Sequence, residues 1–287
     1  MGFLDFLSKG GGHGLDELAR RLGMSPPELA SIQAAYRQFT IPKRSGGHRR
    51  ILAPQKELKS VQRRILRRLL ALLVSHPAAT GFERGRSIVT NASRHLGRAV
   101  VVRMDLRDFF ESTSARRVRR FFRRIGWNRP AARRLGELCT HRGALPQGAP
   151  TSPRLANLVN YRLDTRLNNL AAAFGATYTR YADDLVFSFD VDKRTQTKRL
   201  INLVKLIVRE EGYRMHTRRK LHIRRRHQQQ RVTGLVVNHR VNLPRSTRRW
   251  LRAVEHHHAT GRSSTLTETQ LSGWRAYASM IAGGRRD

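Results

Sequence analysis

Two adjacent carboxylates are the most distinctive chemical feature of the chain. Residues 181–184 read Tyr-Ala-Asp-Asp, and β-branched and aromatic residues flank them at 177–180 and 185–189. Such flanks predict two strands joined by a tight turn, with Asp183 and Asp184 held at the turn. Neighbouring carboxylates repel each other unless a cation lies between them, and oxygen-only ligands suit Mg²⁺. For the pair taken alone, an ordinary solvated Asp-Asp turn is the alternative interpretation.

A third acid, Asp105, ends a near-continuous apolar run at 99–105, a pattern typical of a buried central strand. If this strand neighbours the hairpin in one sheet, the carboxylates of Asp105, Asp183 and Asp184 converge. Three carboxylates can hold two divalent ions, which activate a 3′- or 2′-hydroxyl and stabilise the leaving pyrophosphate in nucleotidyl transfer. The surrounding cations would balance phosphate charge at such a site.

The charge of the chain points to a polyanionic partner. Lys and Arg number 57 against 20 Asp and Glu, which leaves a formal net charge of +37 over 287 residues. Such an excess repels itself in a compact state, and nucleic acid is the first candidate partner because its phosphates exchange counterions for protein cations. A genome-wide bias towards Arg accounts for part of the excess, and an acidic membrane surface is a weaker alternative.

The location of the protein is predicted from its cysteine content and its hydropathy. The single cysteine, Cys139, excludes intrachain disulfides and fits a reducing cytoplasm. The sequence has no apolar run of about 18 residues and no basic segment followed by an apolar one at its start, so we expect no membrane contact.

The elements that must position these acids follow from hydrophobic periodicity, and they predict an α+β fold. Residues 1–40 form an N-terminal helical extension, with one amphipathic helix at 15–22 and a second that begins at the capping sequence 25–28. Two short strands surround a Ser-Gly-Gly turn at 41–51, and a helix at 57–75 places Leu72 on its apolar face. Further segments are helices within 81–96, at 115–125, from about 153 to 170 and at 197–211, strands at 221–223 and 231–238, and mainly helix at 244–283.

Several segments, in consistent order over 40–283, resemble the reverse transcriptases of bacterial retrons. The Tyr-Ala-Asp-Asp sequence is similar to the polymerase palm hairpin of that family. Four other segments also match its motifs: Val-Arg-Met-Asp-Leu-Arg-Asp-Phe-Phe at 102–110, Leu-Pro-Gln-Gly-Ala-Pro-Thr-Ser-Pro at 145–153, Asn-Ala-Ser-Arg-His at 91–95 and Val-Thr-Gly at 232–234.

The resemblance implies a right-hand polymerase with fingers, a palm of antiparallel sheet backed by helices, and a small helical thumb. The implied domains are fingers and palm at 41–225 and thumb at 226–287. Asp105, Asp183 and Asp184 would be the catalytic metal ligands for two Mg²⁺ ions. Residues implied at the nucleotide are Lys43, Arg49 (with Arg50 as alternative), Phe110 beneath the incoming sugar, Gln147 and Lys220.

Two of the implied roles have competing interpretations. Lys220 would be a general acid towards pyrophosphate, but the preceding residues 215–219 depart from the Asn-Pro-Lys pattern of the family. The residues implied in recognition of the cognate RNA are Asn91, His95, Val232, Thr233 and Gly234. Taken separately, His95 also fits a histidine of the protein core, and Val-Thr-Gly also fits the end of an ordinary strand.

The function implied is RNA-templated DNA synthesis from deoxynucleoside triphosphates. The template would be a structured noncoding RNA, and priming from an RNA 2′-hydroxyl would give branched, RNA-linked single-stranded DNA (msDNA). Antiphage defence with a separate effector protein would be its biological role.

Two other functions remain as alternatives. One is another prokaryotic reverse transcriptase of the group II intron type, and the other is a non-catalytic RNA-binding scaffold with a polymerase fold. The presence of all three aspartates favours catalysis over the scaffold.

Overall fold

The computed structural model describes residues 12–42, 46–216 and 221–283. The helices, in chain order, are α1 (Leu15–Leu22), α2 (Pro26–Ser31), α3 (Lys56–Ile65), α4 (Ile88–Ser93), α5 (Phe109–Ser112), α6 (Ala115–Arg124), α7 (Arg129–Cys139), α8 (Ser152–Val159), α9 (Tyr161–Ala173), α10 (Arg194–Glu210), α11 (Arg245–Ala259) and α12 (Glu268–Gly283). The strands are β1 (Tyr36–Pro42), β2 (His48–Pro54), β3 (Val100–Arg107), β4 (Ala176–Tyr181), β5 (Asp184–Phe189), β6 (Arg214–Met215), β7 (His222–Arg225), β8 (Arg231–Val232) and β9 (Leu235–Val236).

The chain forms two compact units that alternate along the sequence. The first comprises residues 1–77, 107–165 and 208–214, and the second comprises 78–106, 166–207 and 215–287. The mixture of helices with antiparallel sheet confirms the predicted α+β class. The predicted domain division at residues 40 and 225 stays a prediction.

The first unit contains most of the helices before residue 165 and one β-hairpin. Strands β1 and β2 pair antiparallel from Tyr36 opposite Pro54 to Pro42 opposite His48, which confirms the predicted strand pair. Helix α2 begins with the predicted capping box, because Ser25 and Glu28 each accept a bond from the other's backbone N–H.

The predicted helix at 57–75 was wrong in its second half. Helix α3 ends at Ile65, and a π-helical turn follows at Leu66–Leu70, in which Ala71 N–H donates to the Leu66 carbonyl. The wider π-turn shifts the phase of the side chains that come after it. Leu72, expected on the apolar face, is therefore 83% exposed.

The second unit is built on a five-stranded sheet in the order β4-β5-β3-β6, with β7 also paired to β3. Residues 100–102 of β3 are buried, as the apolar run predicted. A hydrophobic cluster joins the sheet to α4, β8–β9 and the last two helices. Its members include Val89, Val101, Val186, Leu235, Leu251 and Ile281. Helix α12 begins after Thr267, whose hydroxyl accepts a bond from Gln270 N–H.

Within the described residues, no helix combines the length and the hydropathy needed to cross a membrane.

Candidate active site

The sheet of the second unit brings the three predicted aspartates together at one end. Strands β4 and β5 form the predicted hairpin, and Asp105 of β3 lies directly opposite Asp184 of β5 in antiparallel register. Residues that face each other in this way have Cβ atoms about 5 Å apart on the same face of the sheet. Asp183 occupies the turn, and its carbonyl accepts a bond from Leu106 N–H at 2.9 Å. Asp105 is only 8% exposed, whereas the other two are half-buried.

The hairpin tip adopts a strained backbone conformation. Ala182 has φ of 57°, in the left-handed region that costs a residue with a Cβ about 1–2 kcal/mol. Such strain persists only where the surrounding structure holds the residue in place. Contacts with neighbouring residues must therefore hold the tip in this conformation.

A segment at 78–81 supplies some of the contacts that hold the tip. It runs beside β4, with Arg180 N–H donating to Ala78 O at 2.7 Å and Thr80 N–H donating to Arg180 O at 2.8 Å. Gly81 then lies against the turn so closely that a Cβ on it would be 2.8 Å from the Ala182 nitrogen. Only glycine fits between the segment and the turn without displacing one of them.

Buried hydrogen bonds of Arg180 and Asn91 continue these contacts into the interior. Arg180 is fully buried, and its Nη1 donates to Ala182 O at 3.1 Å. The Thr80 hydroxyl contacts both Arg180 O at 3.1 Å and Asn91 Oδ1 at 2.7 Å. A continuous set of hydrogen bonds thus joins α4 to the turn that carries Asp183. Sequence reasoning missed this link; its local signal was a single charged residue, Arg180, within a strand of otherwise uncharged residues.

His95 joins the segment after α4 to both hairpin strands. Its Nδ1 lies 2.7 Å from the Ser188 hydroxyl on β5, and its Nε2 lies 2.7 Å from the Thr179 hydroxyl on β4. Burial lowers the pKa of His95 to about 3, so the ring is neutral at neutral pH. Asn91 and His95 are both completely buried. This geometry fits the core-histidine interpretation of His95, and the role of Asn91 and His95 in RNA recognition stays a prediction.

The Val-Thr-Gly segment forms the tight turn between β8 and β9. Val232 is buried in the hydrophobic cluster, and the Thr233 hydroxyl donates to Ile88 O at 2.9 Å. Thr233 and Gly234 have φ of 46° and 84°, which splits the single strand expected at 231–238 into two. Gly234 is exposed at the turn. RNA recognition by this turn stays a prediction.

Two further side chains surround the aspartates, and sequence reasoning identified neither. Arg103 Nη2 donates to Asp184 Oδ2 at 3.1 Å and to Oδ1 at 3.3 Å. His216 Nε2 lies 3.5 Å from Asp105 Oδ1, and His216 N–H donates to Asp105 O at 2.9 Å. The spacing of Arg103 was a usable signal, because residues two apart in a strand share a face.

The donor set fits a hard divalent cation in chemistry, since every predicted ligand is a carboxylate oxygen. Among the described residues, however, no three acidic, histidine or cysteine side chains lie close enough together to form a ready-made metal site. Asp184 is instead directed to Arg103. The three aspartates are thus near neighbours on one end of the sheet, and Asp184 forms an ion pair with Arg103.

The predicted nucleotide-binding residues that the structure describes belong to the first unit. Arg49 and Arg50 are exposed on β2, and Arg50 Nη2 lies 3.4 Å from Glu111 Oε1. Gln147 O accepts a bond from Leu52 N–H at 2.8 Å, which ties the 145–153 loop to β2. Lys43 and Lys220 lie outside the described residues.

The paired phenylalanines of the first unit differ in burial. Phe109 is buried, with its ring 5.7 Å from that of Tyr213. Phe110 is partly exposed, and its ring lies 5.5 Å from that of Phe109. This difference leaves Phe110 as the one of the two that can meet a ligand.

Comparison with known proteins extends the resemblance noted from the motifs. Residues 41–237 match the family described as reverse transcriptase (RNA-dependent DNA polymerase). The retron Mx65 reverse transcriptase of Myxococcus xanthus is 42% identical over 264 residues, which cover 86% of this chain and 61% of that protein. The retron Mx162 reverse transcriptase of the same organism is 39% identical, with 92% of this chain and 63% of that protein covered.

The retron Ec86 reverse transcriptase of Escherichia coli is 37% identical over 245 residues, which cover 84% of this chain and 75% of that protein. The chain therefore spans about three fifths of the length of the two Myxococcus relatives and three quarters of the Escherichia relative.

Proposed function

Because this chain belongs to the retron reverse transcriptases, we propose that it is an RNA-directed DNA polymerase that extends a primer with deoxynucleoside triphosphates. The observation that carries the proposal is the register that sets Asp105 opposite Asp184, with Asp183 on the adjoining turn. Metal-assisted nucleotidyl transfer needs carboxylates that can hold divalent cations beside the reacting phosphate, and this register sets two such residues opposite each other.

Reverse transcriptases as a family use divalent metal ions, and we propose that two Mg²⁺ ions bind to Asp105, Asp183 and Asp184. When bound, they would supply the positive charge that favours deprotonation of the primer hydroxyl and loss of pyrophosphate. The chain's own contribution is to hold the three carboxylates at the end of the sheet. The hydrogen bonds that reach the turn from Arg180 and Thr80 support this role, because they limit the movement of Asp183.

In the proposed polymerase, the sheet of the second unit is the palm, β1 and β2 belong to the fingers, and α11 and α12 belong to the thumb. Arg49 and Lys43 would bind the triphosphate, Phe110 would contact the sugar, and Gln147 would lie near the template. The partial exposure of Phe110 and the exposure of Arg49 support their part in this assignment. Lys220 stays a candidate general acid.

The proposed template is a cognate structured noncoding RNA, with priming from an RNA 2′-hydroxyl and msDNA as product. The net charge of +37 supports a nucleic-acid partner of this kind. A role in antiphage defence with a separate effector protein, and a cytoplasmic location, complete the proposal.

Primer extension by an Asp183→Asn variant tests the catalytic assignment. We expect extension to fall at least about hundredfold, since the substitution removes a carboxylate from the reacting centre, while RNA affinity stays near the wild-type value. Asp190→Asn is the matched control, because Asp190 is bound by Arg98 at 2.6 Å and is not one of the proposed ligands. Full activity of Asp183→Asn would refute the assignment.

The nucleic acid that copurifies with the protein separates the retron reaction from its alternatives. Sequencing should find a short single-stranded DNA joined to RNA. Wild-type protein that binds RNA tightly and extends no primer would be the non-catalytic scaffold, and linear DNA without an RNA branch would indicate another class of reverse transcriptase.

A further inference from the structure

Arg103 lies among the acidic residues of the candidate site. It precedes Asp105 by two residues on β3, so both side chains project from the same face of the strand. One guanidinium nitrogen reaches both carboxylate oxygens of Asp184, at 3.1 and 3.3 Å. The two side chains are 27% and 23% exposed, so water screens this ion pair only in part.

The rest of the guanidinium group shows how the pair is held. Its Nε is buried and has no hydrogen-bond partner within the described part of the chain. Burying a hydrogen-bond donor without a partner costs free energy. The hydrogen bonding of Arg103 is therefore incomplete and does not by itself account for the position of the side chain. Among the described residues, the side-chain hydrogen bonds of Arg103 go to Asp184.

The ion pair between Arg103 and Asp184 explains why carboxylate ligands are present although they do not form a ready-made metal site. Asp105 and Asp184 are cross-strand neighbours, yet no three acidic, histidine or cysteine side chains are gathered within the described residues. A carboxylate that accepts bonds from a guanidinium through both oxygens has fewer lone pairs to offer a second cation.

We propose that Arg103 is a positioning residue that competes with the divalent cation for Asp184. Without the cation, it neutralises part of the negative charge of the aspartates and keeps the Asp184 carboxylate in place. When the cation binds, Asp184 turns from Arg103 or shares its oxygens. The inference rests on the proposed function, because it concerns the same carboxylates, and it adds a determinant of metal affinity that the three aspartates alone do not provide.

The competition has a measurable sign. Removing the positive charge at residue 103 leaves the three carboxylates with less compensation, so a divalent cation should bind more tightly. For the loss of one charge-assisted contact at a partly buried site, we expect roughly a tenfold decrease in the dissociation constant. The metal-free variant should also unfold at a lower temperature, and a larger part of its stability should return on addition of metal.

The experiment is a Mn²⁺ titration of the whole protein without nucleic acid, with free Mn²⁺ measured by electron paramagnetic resonance. Arg103→Met removes the charge and keeps much of the side-chain length, and Arg103→Lys keeps the charge. Arg98→Met is the matched control, because it breaks the 2.6 Å bond between Arg98 and Asp190, a similar ion pair of the same unit. Circular dichroism verifies folding, and Arg103→Gln takes the place of the methionine variant if that one does not fold.

We expect tighter Mn²⁺ binding in Arg103→Met or Arg103→Gln only, with Arg103→Lys and Arg98→Met within about twofold of wild type. Unchanged or weaker binding in the uncharged variants would overturn the proposal, as would an equal gain in Arg98→Met. Failure of this proposal and failure of the proposed function give different results. A wild-type protein that polymerises while Arg103→Met binds Mn²⁺ normally refutes the competition alone, and a wild-type protein that binds Mn²⁺ and never extends a primer refutes the polymerase.

Discussion

Gly81 offers a sharp test of how the catalytic turn is held. A Cβ at this position would lie 2.8 Å from the Ala182 nitrogen and 3.3 Å from the carbonyl carbon and the Cα of Tyr181. All three are backbone atoms, so no side chain can rotate away to make room. The hydrogen bond from Thr80 N–H to Arg180 O, at 2.8 Å, keeps the segment and the strand from separating.

Two opposing effects determine the stability of a Gly81→Ala variant. The backbone of Gly81 is outside the left-handed region, so alanine would by itself stabilise the fold by about 0.4–1 kcal/mol through the unfolded chain. Overpacking against rigid atoms costs about 1–3 kcal/mol. The clash is the larger effect, and a net loss of about 1–2 kcal/mol corresponds to a decrease in melting temperature of about 3–6 °C.

The same clash should reduce activity more than stability. The atoms that must move belong to the turn that carries Asp183, and a displacement of about 1 Å at a reacting centre can reduce a rate about hundredfold. We expect at least a roughly tenfold slower single-turnover primer extension at a temperature where the variant is fully folded. Melting temperature from circular dichroism and extension rate are measured on the same preparation.

Gly273→Ala is the control for the glycine substitution itself. Gly273 lies inside α12, and apart from its chain neighbours and the nearby backbone of its helix, no heavy atom of the described residues lies within 4 Å of the point that a Cβ would occupy. Alanine there should stabilise the protein by about 1 kcal/mol, with no change in extension. A Gly81→Ala protein with wild-type stability and rate would refute the close packing described for the turn.

Two other predictions concern buried titratable groups. Burial lowers the pKa of His95 to about 3, so the folded protein keeps the ring neutral, while the ring of the unfolded chain becomes protonated below about pH 6.5. The free energy of unfolding should therefore decrease by about 1.4 kcal/mol for each unit by which the pH is lowered from about 6.5 towards about 3. Urea unfolding at pH 7 and pH 5 measures this slope, which His95→Gln should reduce; an equal slope in both proteins would contradict the assignment. Burial also raises the pKa of the Cys139 thiol to about 12, so iodoacetamide at pH 8 should modify it only in urea, and rapid modification of the native protein would contradict its burial.

Local patterns in the sequence were sufficient for the elements that carry the aspartates. The β-branched and aromatic residues around 181–184 predicted the hairpin, and the apolar run before Asp105 predicted the buried strand. Both signals depend on neighbouring residues, which set the backbone conformation of short segments. The motifs in their order were enough to indicate the family.

Other features depended on contacts between residues far apart in the chain. Asp105 meets Asp184, Arg103 bonds the same aspartate, and Gly81 packs on Ala182, at separations of about 80 to 100 residues. Periodicity carries no information about such pairs, because it describes which face a residue occupies and not which segment covers that face. For the same reason the sequence did not show that β4, β5 and the segment at 78–81 enclose Asn91 and His95.

The chemistry of this protein is therefore divided between two levels. The types and spacing of the acidic residues specify oxygen ligands on a hairpin, which local sequence is able to encode. Three other features require a partner from a distant segment, so they arise only when the sheet assembles. They are the arginine that bonds one of those ligands, the glycine that packs against the turn, and the neutral histidine that bonds both hairpin strands.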